Sequence, residues 1–163
     1  MRSLGNTPVD GEVRAVASGT LPSGQPVIVN ADGTVSVVAE TAEVIGSPNV
    51  FESGNTVSTA ATFDSSNNKV VIAYRDGGNS NYGTAIVGTV GASSISFGTA
   101  VVFESASTDE IAITFDSSNN KIFIAYKDNG NSGYGTGIVG TVSGTSISFG
   151  SAVVFKSVVM AGI

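Results

Sequence analysis

The sequence predicts an all-β protein, and three observations support this prediction. Residues 51–102 and 103–154 are two copies of one 52-residue unit, aligned without a gap and identical at 36 of 52 positions. A period of this length marks a repeat architecture, in which each copy is one supersecondary unit. The 21 glycines, and apolar residues that are mostly valine, isoleucine and alanine, favour short strands with many turns. Turn-forming Asn, Asp, Ser and Gly clusters separate the apolar runs.

The chain begins with a section that is not repeated. Residues 1–12 are polar and predict an extended arm, for which a disordered tail is the alternative interpretation. Residues 13–49 are predicted to be a β-meander module and a linker. The linker is residues 41–49, in which Gly46 and Pro48 mark a break in regular structure.

The meander prediction depends on three β-branched runs. Residues 30–33 (Asn-Ala-Asp-Gly) lie between the runs at 26–29 and 34–38. An Asp-Gly between two such runs is a strong hairpin signal. With a further run at residues 13–17, the pattern predicts three strands connected in sequence order.

Each repeat is predicted to hold four strands. Their expected bounds are 57–63, 69–75, 84–90 and 94–103 in the first copy, and 111–115, 121–127, 136–142 and 146–155 in the second. Four short antiparallel strands per repeat are typical of a β-propeller blade, so residues 50–163 predict two blade-like repeats and the start of a third. Glycines fall inside the third and fourth strands, at Gly88, Gly140, Gly98 and Gly150, and predict a bulge or a close approach of neighbouring sheets.

Two blades cannot close a ring, since propellers typically have four to eight. A third copy begins at residues 154–157, but the sequence ends at Ile163. Three arrangements stay open: several chains that each donate two blades, a segment of a longer array, or units stacked as a fibre or solenoid. The early end of the third copy favours the last two, and a homo-oligomer is expected.

Composition excludes several classes of function. Thirteen acidic against seven scattered basic residues give a net charge of -6, which argues against nucleic-acid binding. The sequence has no cysteine and no histidine, so disulfides, thiolate metal sites and the commonest general base are missing. We therefore expect no catalytic residues, no enzymatic activity, no metal and no cofactor. Because no signal peptide or long apolar run is seen, no membrane insertion is expected.

The best-marked polar feature is the loop between the second and third predicted strands of each copy. Tyrosine rings can stack on sugar faces while carboxylates and amides bond hydroxyls, and Tyr/Ser/Gly/Asn surfaces also suit protein recognition. The alternative is that Asp, Asn and Gly only form the turn and the tyrosines cover the core edge. The candidate ligand-binding residues are Tyr74, Asp76, Asn79, Tyr82, Tyr126, Asp128, Asn131 and Tyr134.

A second polar cluster, residues 64–68 (Asp-Ser-Ser-Asn-Asn), recurs unchanged at residues 116–120. Calcium takes six to eight oxygen ligands, and calcium-binding loops supply them from acidic residues at regular spacing. This cluster does not have that spacing. We therefore expect a hairpin loop rather than a metal site.

Two segments resemble known families. The repeat, with Phe-Asp-Ser-Ser-Asn-Asn-Lys at 63–69 and 115–121 and Ser-Ile-Ser-Phe-Gly at 94–98 and 146–150, resembles β-propeller-like repeats in large structural proteins of marine phages and some marine bacteria. Residues 17–38 resemble a small β module of cyanobacterial phage structural proteins.

The resemblance implies a phage virion structural protein, a tail fibre or other surface appendage, which is assembled in the host cytoplasm. The unique N-terminal section would dock on other virion proteins while the repeats project outward, and a host-surface glycan is a candidate partner. The alternative is a soluble carbohydrate-binding, lectin-like protein that uses the two tyrosine-containing loops as equivalent sites. A secreted propeller hydrolase ranks last, because histidine and a signal peptide are missing.

Overall fold

A computed structural model describes residues 15–38 and 45–159 of the chain. The chain divides into two compact units, Met1–Glu43 and Val44–Ile163. Every regular element in the described residues is a strand, apart from one 3-10 turn at Asn129–Asn131. The all-β prediction is therefore confirmed, while the predicted arm at residues 1–12 lies outside the described residues. None of the described residues belongs to a helix with the length and apolar character needed to cross a membrane.

The first unit contains a three-stranded sheet. Its strands are β1 (Val16–Ala17), β2 (Val27–Val29) and β3 (Thr34–Val37), in the order β1-β3-β2. The predicted hairpin between β2 and β3 is confirmed: the Gly33 N–H donates to the Asn30 carbonyl at 3.0 Å, and Gly33 has φ +80°. The predicted meander is wrong, because β1 pairs in parallel with β3 instead of with β2. The connection at residues 18–26 contains a turn at residues 22–25 and is long enough for β1 to lie on the far side of β3 from β2.

The second unit contains nine strands in one antiparallel network. They are β4 (Thr56–Asp64), β5 (Lys69–Asp76), β6 (Tyr82–Val90), β7 (Ile95–Phe97), β8 (Val101–Asp116), β9 (Lys121–Asp128), β10 (Tyr134–Ser143), β11 (Ser146–Phe149) and β12 (Val153–Val159). The long strand β8 belongs to two sheets. Its residues 101–107 pair with β6, and its residues 108–116 pair with β9.

This switch of partner within β8 divides the network into two four-stranded sheets. In the first sheet, residues 56–107, the fourth strand consists of β7 and the first part of β8. In the second sheet, residues 108–159, the fourth strand consists of β11 and β12. The two four-stranded sheets therefore begin at residues 56 and 108, whereas the predicted repeats begin at residues 51 and 103. The predicted start of a third copy is β12, which pairs with β10 and completes the second sheet. Within the described residues the sheets close into neither a barrel nor a propeller ring.

The two sheets share backbone details as well as sequence. Ser58 and Glu110 adopt left-handed conformations with φ 50° and 51°, each beside a register shift of its strand. Asn68 and Asn120 adopt left-handed conformations at the hairpins that follow, with φ 53° and 55°. These positive angles are uncommon outside glycine, and their recurrence shows that both copies have the same bulge and the same turn.

Each sheet has two faces, because successive side chains of a strand point to opposite sides. We call the face that carries Tyr74 of β5, or Tyr126 of β9, the tyrosine face. The opposite face, which carries Ala73 or Ala125, is the alanine face. Both faces are largely apolar in both sheets.

Burial shows how the sheets stack. Val71 and Val87, on the alanine face of the first sheet, are fully buried, as is Ile124 on the tyrosine face of the second. The residues at the same repeat positions of the other sheet, Phe123, Val139 and Ile72, are partly exposed. The alanine face of the first sheet therefore packs on the tyrosine face of the second, and the core lies between them. The buried residues of this core are Val71, Ala73, Ala85, Val87, Phe103, Ile111, Ile122, Ile124, Tyr126, Ile138, Val142 and Ile147.

Candidate functional site

The loops predicted to bind a ligand are held by their own aspartates. Oδ1 of Asp76 accepts hydrogen bonds from the backbone N–H groups of Gly78 at 2.9 Å and Asn79 at 3.0 Å. Oδ1 of Asp128 accepts one from the N–H of Asn131 at 3.1 Å. Both aspartates are buried, so these carboxylates stabilise the turns, as the alternative interpretation of the loops proposes.

The four tyrosines of the candidate set occupy two different environments. Tyr74 and Tyr126 are fully buried on the tyrosine faces, so their rings are not available to stack on a ligand. Tyr82 and Tyr134 are half-buried at the first residues of β6 and β10. Of the candidate residues, each loop thus leaves part of one tyrosine and one exposed asparagine, Asn79 or Asn131, accessible to a ligand.

Burial also changes the titration of the inner tyrosines. Desolvation, together with the nearby carboxylates of Glu52 and Asp76, raises the pKa of Tyr74 to about 12. Desolvation and the Glu104 carboxylate raise the pKa of Tyr126 further, because the Tyr126 hydroxyl donates to Oε2 of Glu104 at 2.9 Å. Both phenols therefore stay protonated at neutral pH and act as buried polar groups.

The second polar cluster forms the expected hairpin loop. Oδ1 of Asp64 accepts from the N–H groups of Ser66 and Asn67 at 3.0 Å each, and its Oδ2 accepts from the Asn67 amide at 2.8 Å. Asp116 makes the same contacts in the second sheet. Among the described residues, no group of three or more acidic side chains is arranged to hold a metal ion.

A different feature links the sheets: an aromatic side chain that inserts into the tyrosine face. The ring of Phe103 lies 5.2 Å from that of Tyr126 and 5.7 Å from that of Phe149. Just before it, Gly98 lies so close to the turn between β10 and β11 that an added Cβ would overlap the Thr145 carbonyl. Residues 98–103 therefore attach the first sheet to the second.

The same contact occurs on the first sheet. The ring of Phe51 lies 5.2 Å from that of Tyr74 and 5.9 Å from that of Phe97. An added Cβ at Gly46 would overlap the Ser93 carbonyl, as one at Gly98 would overlap that of Thr145. Residues 46–51, predicted to end a linker and open the first repeat, instead attach to the first sheet.

We call residues 46–51, 98–103 and 150–155 the first, second and third docking segments. They share the pattern Gly-Ser/Thr-x-x-Val-Phe at a spacing of 52 residues, and this signal would have identified them in the sequence. The repeat unit was defined from residue 51, and this boundary splits each of these segments between two copies. Two docking segments occupy a tyrosine face, and the third does not.

An ion pair joins the two sheets beside these contacts. Arg75 of β5 donates to Oδ1 of Asp109 in β8, while Oδ2 of the same carboxylate accepts from the Asn129 amide at 2.9 Å. A shallow open cleft of about 490 Å³ lies between residues 46–48 and 90–95. Its lining residues are uncharged, and the cleft borders the first docking segment.

No protein-family model, curated protein or solved structure matches this chain.

Proposed function

We propose that the chain is a structural protein of a phage virion, a tail fibre or other surface appendage. The observation that supports this most is the stacking of two near-identical sheets, alanine face on tyrosine face. Each added sheet leaves the same kind of face open, so such a stack can extend outward from a particle. In this proposal the sheets act as blade-like repeats, and the N-terminal section contacts other virion proteins.

The test uses the phage whose genome encodes the chain. Peptides of the chain should appear in particles purified by density gradient, at a constant copy number per particle. Removing the coding segment should delete a protrusion seen by electron microscopy and reduce adsorption to the host. Particles that lack these peptides, or that look and adsorb the same after the deletion, would refute the proposal.

The second candidate is a carbohydrate-binding, lectin-like protein. It is favoured by the exposed Asn79 and Asn131, which lie beside half-buried Tyr82 and Tyr134 at equivalent places in two sheets. The test is a glycan array with the wild type and a Tyr82→Ala, Tyr134→Ala double variant. The matched control is Ser66→Ala with Ser118→Ala, in the other exposed loop of each sheet. Glycan binding that only the tyrosine variant loses would support this function, and no binding, or equal binding by all three proteins, would exclude it.

A further inference from the structure

The alanine face of the second sheet is an apolar surface with no sheet on it. Phe123 and Val139 are 40% and 46% exposed, whereas their counterparts Val71 and Val87 in the first sheet are fully buried. These pairs differ in burial because the tyrosine face of the second sheet covers the alanine face of the first sheet. Nothing in the described residues covers the alanine face of the second sheet. Contiguous exposed apolar residues of this kind mark interaction surfaces.

The third docking segment extends this surface. The Gly150 N–H donates to the Val139 carbonyl at 2.9 Å, and the Gly98 N–H donates to the Val87 carbonyl in the same manner. The third docking segment is therefore bound to its own sheet as the second one is. Phe155, however, is 57% exposed, while Phe103 is 8% exposed. An added Cβ at Gly150 would meet only the Val139 carbonyl, at 3.8 Å, in place of the overlap found at Gly98.

The complementary surface is the tyrosine face of the first sheet. Phe63 on this face is 52% exposed, whereas its counterpart Phe115 is half-buried against the core. Among the described residues, the first docking segment covers part of this face through the contacts of Phe51 with Tyr74 and Phe97.

We propose that the alanine face of the second sheet and the third docking segment bind the first sheet of a second copy of this chain. In that contact the third docking segment of one copy displaces the first docking segment of the second copy, so that Phe155 replaces Phe51 between Tyr74 and Phe97. The contact reproduces the stacking between the two sheets of a single chain. It is independent of the proposed virion role.

A second copy fits this surface because the aromatic residues it offers to Phe155 are of the same types as those that Phe103 contacts within one chain. Phe103 packs on Tyr126 and Phe149, and Phe155 would pack on Tyr74 and Phe97, the same residue types at the same repeat positions. Two different surfaces meet in this contact, so copies join head to tail and build a ring or a filament.

The ion pair of the internal contact has no counterpart between copies. Val57 stands in the first sheet where Asp109 stands in the second, so the position opposite Lys127 carries no carboxylate. The contact between copies therefore lacks this ion pair, and each copy carries a net charge of -6. Added salt screens this repulsion, so association should strengthen as the salt concentration rises.

Sedimentation of the full chain over a range of concentrations tests the proposal. Val139→Lys and Phe155→Ala should each weaken self-association by roughly tenfold or more, as expected for central interface residues. Phe51→Ala should strengthen it, because it empties the place that Phe155 needs. The control is Ser117→Lys, which adds the same charge in a loop that is exposed in both sheets. A wild type that stays monomeric in all salt conditions, or association that the first two variants leave unchanged, would overturn the proposal.

Cross-linking tests the orientation of the contact. The chain has no cysteine, so Ser93→Cys and Gly150→Cys can be placed in separate chains that also carry Phe51→Ala. Within one chain Gly98 and Thr145 make the equivalent contact. Under oxidation the mixture should form disulfide-linked pairs, and neither variant should do so alone. Equal linking in the mixture and in the single variants would contradict head-to-tail binding.

Discussion

Phe103 packs edge-on against Tyr126 with ring centroids 5.2 Å apart, although the two residues lie on different sheets. The pair of Phe51 and Tyr74, 52 positions earlier, has the same separation. Edge-to-face aromatic pairs of this kind add stability beyond the area they bury. The chain thus uses one aromatic contact twice, each time to attach a docking segment to a tyrosine face.

Phe103→Ala should destabilise the protein far more than Phe155→Ala. Truncating a buried phenylalanine removes apolar contacts and leaves a cavity, at a cost of about 3 to 5 kcal/mol. Phe155 is largely exposed in one copy, so its loss should change the free energy of unfolding by less than about 0.5 kcal/mol. Urea unfolding of dilute protein measures both. Equal losses for the two variants would contradict the assignment of Phe103 as the contact between the sheets.

Gly98→Ala and Gly150→Ala form a second matched pair. The new methyl group at residue 98 would overlap the Thr145 carbonyl, and forcing atoms into a packed contact costs about 1 to 3 kcal/mol. At residue 150 the nearest atom is the Val139 carbonyl at 3.8 Å, which is ordinary contact. Thermal unfolding should therefore show a lower midpoint for the first variant and little change for the second. A stable Gly98→Ala variant would show that the sheets do not approach at this turn.

Tyr126→Phe should cost more stability than Tyr74→Phe. The Tyr126 hydroxyl donates to a carboxylate, and such a bond is worth about 1.5 to 3 kcal/mol. The Tyr74 hydroxyl is buried without a hydrogen bond, while the nearby Glu52 carboxylate accepts from the Gly54 N–H at 2.7 Å. Removing it should be neutral or stabilising. Chemical unfolding at neutral pH compares the two variants, and a reversed order would contradict this geometry.

Tyr74 also predicts a loss of stability in alkali. Its pKa is raised from 10.0 to about 12, so the unfolded chain releases this proton at a lower pH than the folded one. The stabilisation is complete below pH 10 and is lost as the pH rises towards 12. Unfolding midpoints measured across this window should fall less steeply for Tyr74→Phe than for the wild type. Identical slopes would show that Tyr74 is not desolvated in the folded state.

The regular strands were the easiest part of the fold to predict. The second strand of each repeat was expected at residues 69–75 and 121–127, and β5 and β9 extend one residue further. Such strands are short apolar runs between strong turn signals, which is local information. The fourth strand was predicted as one piece, but it breaks at Gly98 and Gly150, where the first of these glycines contacts the neighbouring sheet.

The candidate ligand loops were predicted only in part. Their turn chemistry could be read from the sequence, because Asp accepts bonds from the amides that follow it in any such turn. The burial of Tyr74 and Tyr126 could not, since it depends on a phenylalanine 23 residues earlier in each case, at Phe51 and Phe103. The docking segments were missed because the repeat comparison began at that phenylalanine.

The sequence by itself determined the β class, the 52-residue period, the β2–β3 hairpin and the turns, because each rests on local propensity or on the identity of two segments. Only the tertiary structure decided where each sheet begins, that β8 serves two sheets, and which apolar face is buried. Val71 and Phe123 occupy the same repeat position and are both apolar, yet one is fully buried and the other is exposed. The physical reason is that a side chain becomes buried only where a second surface packs on it. The stacking order of two near-identical sheets leaves a different face uncovered on each sheet.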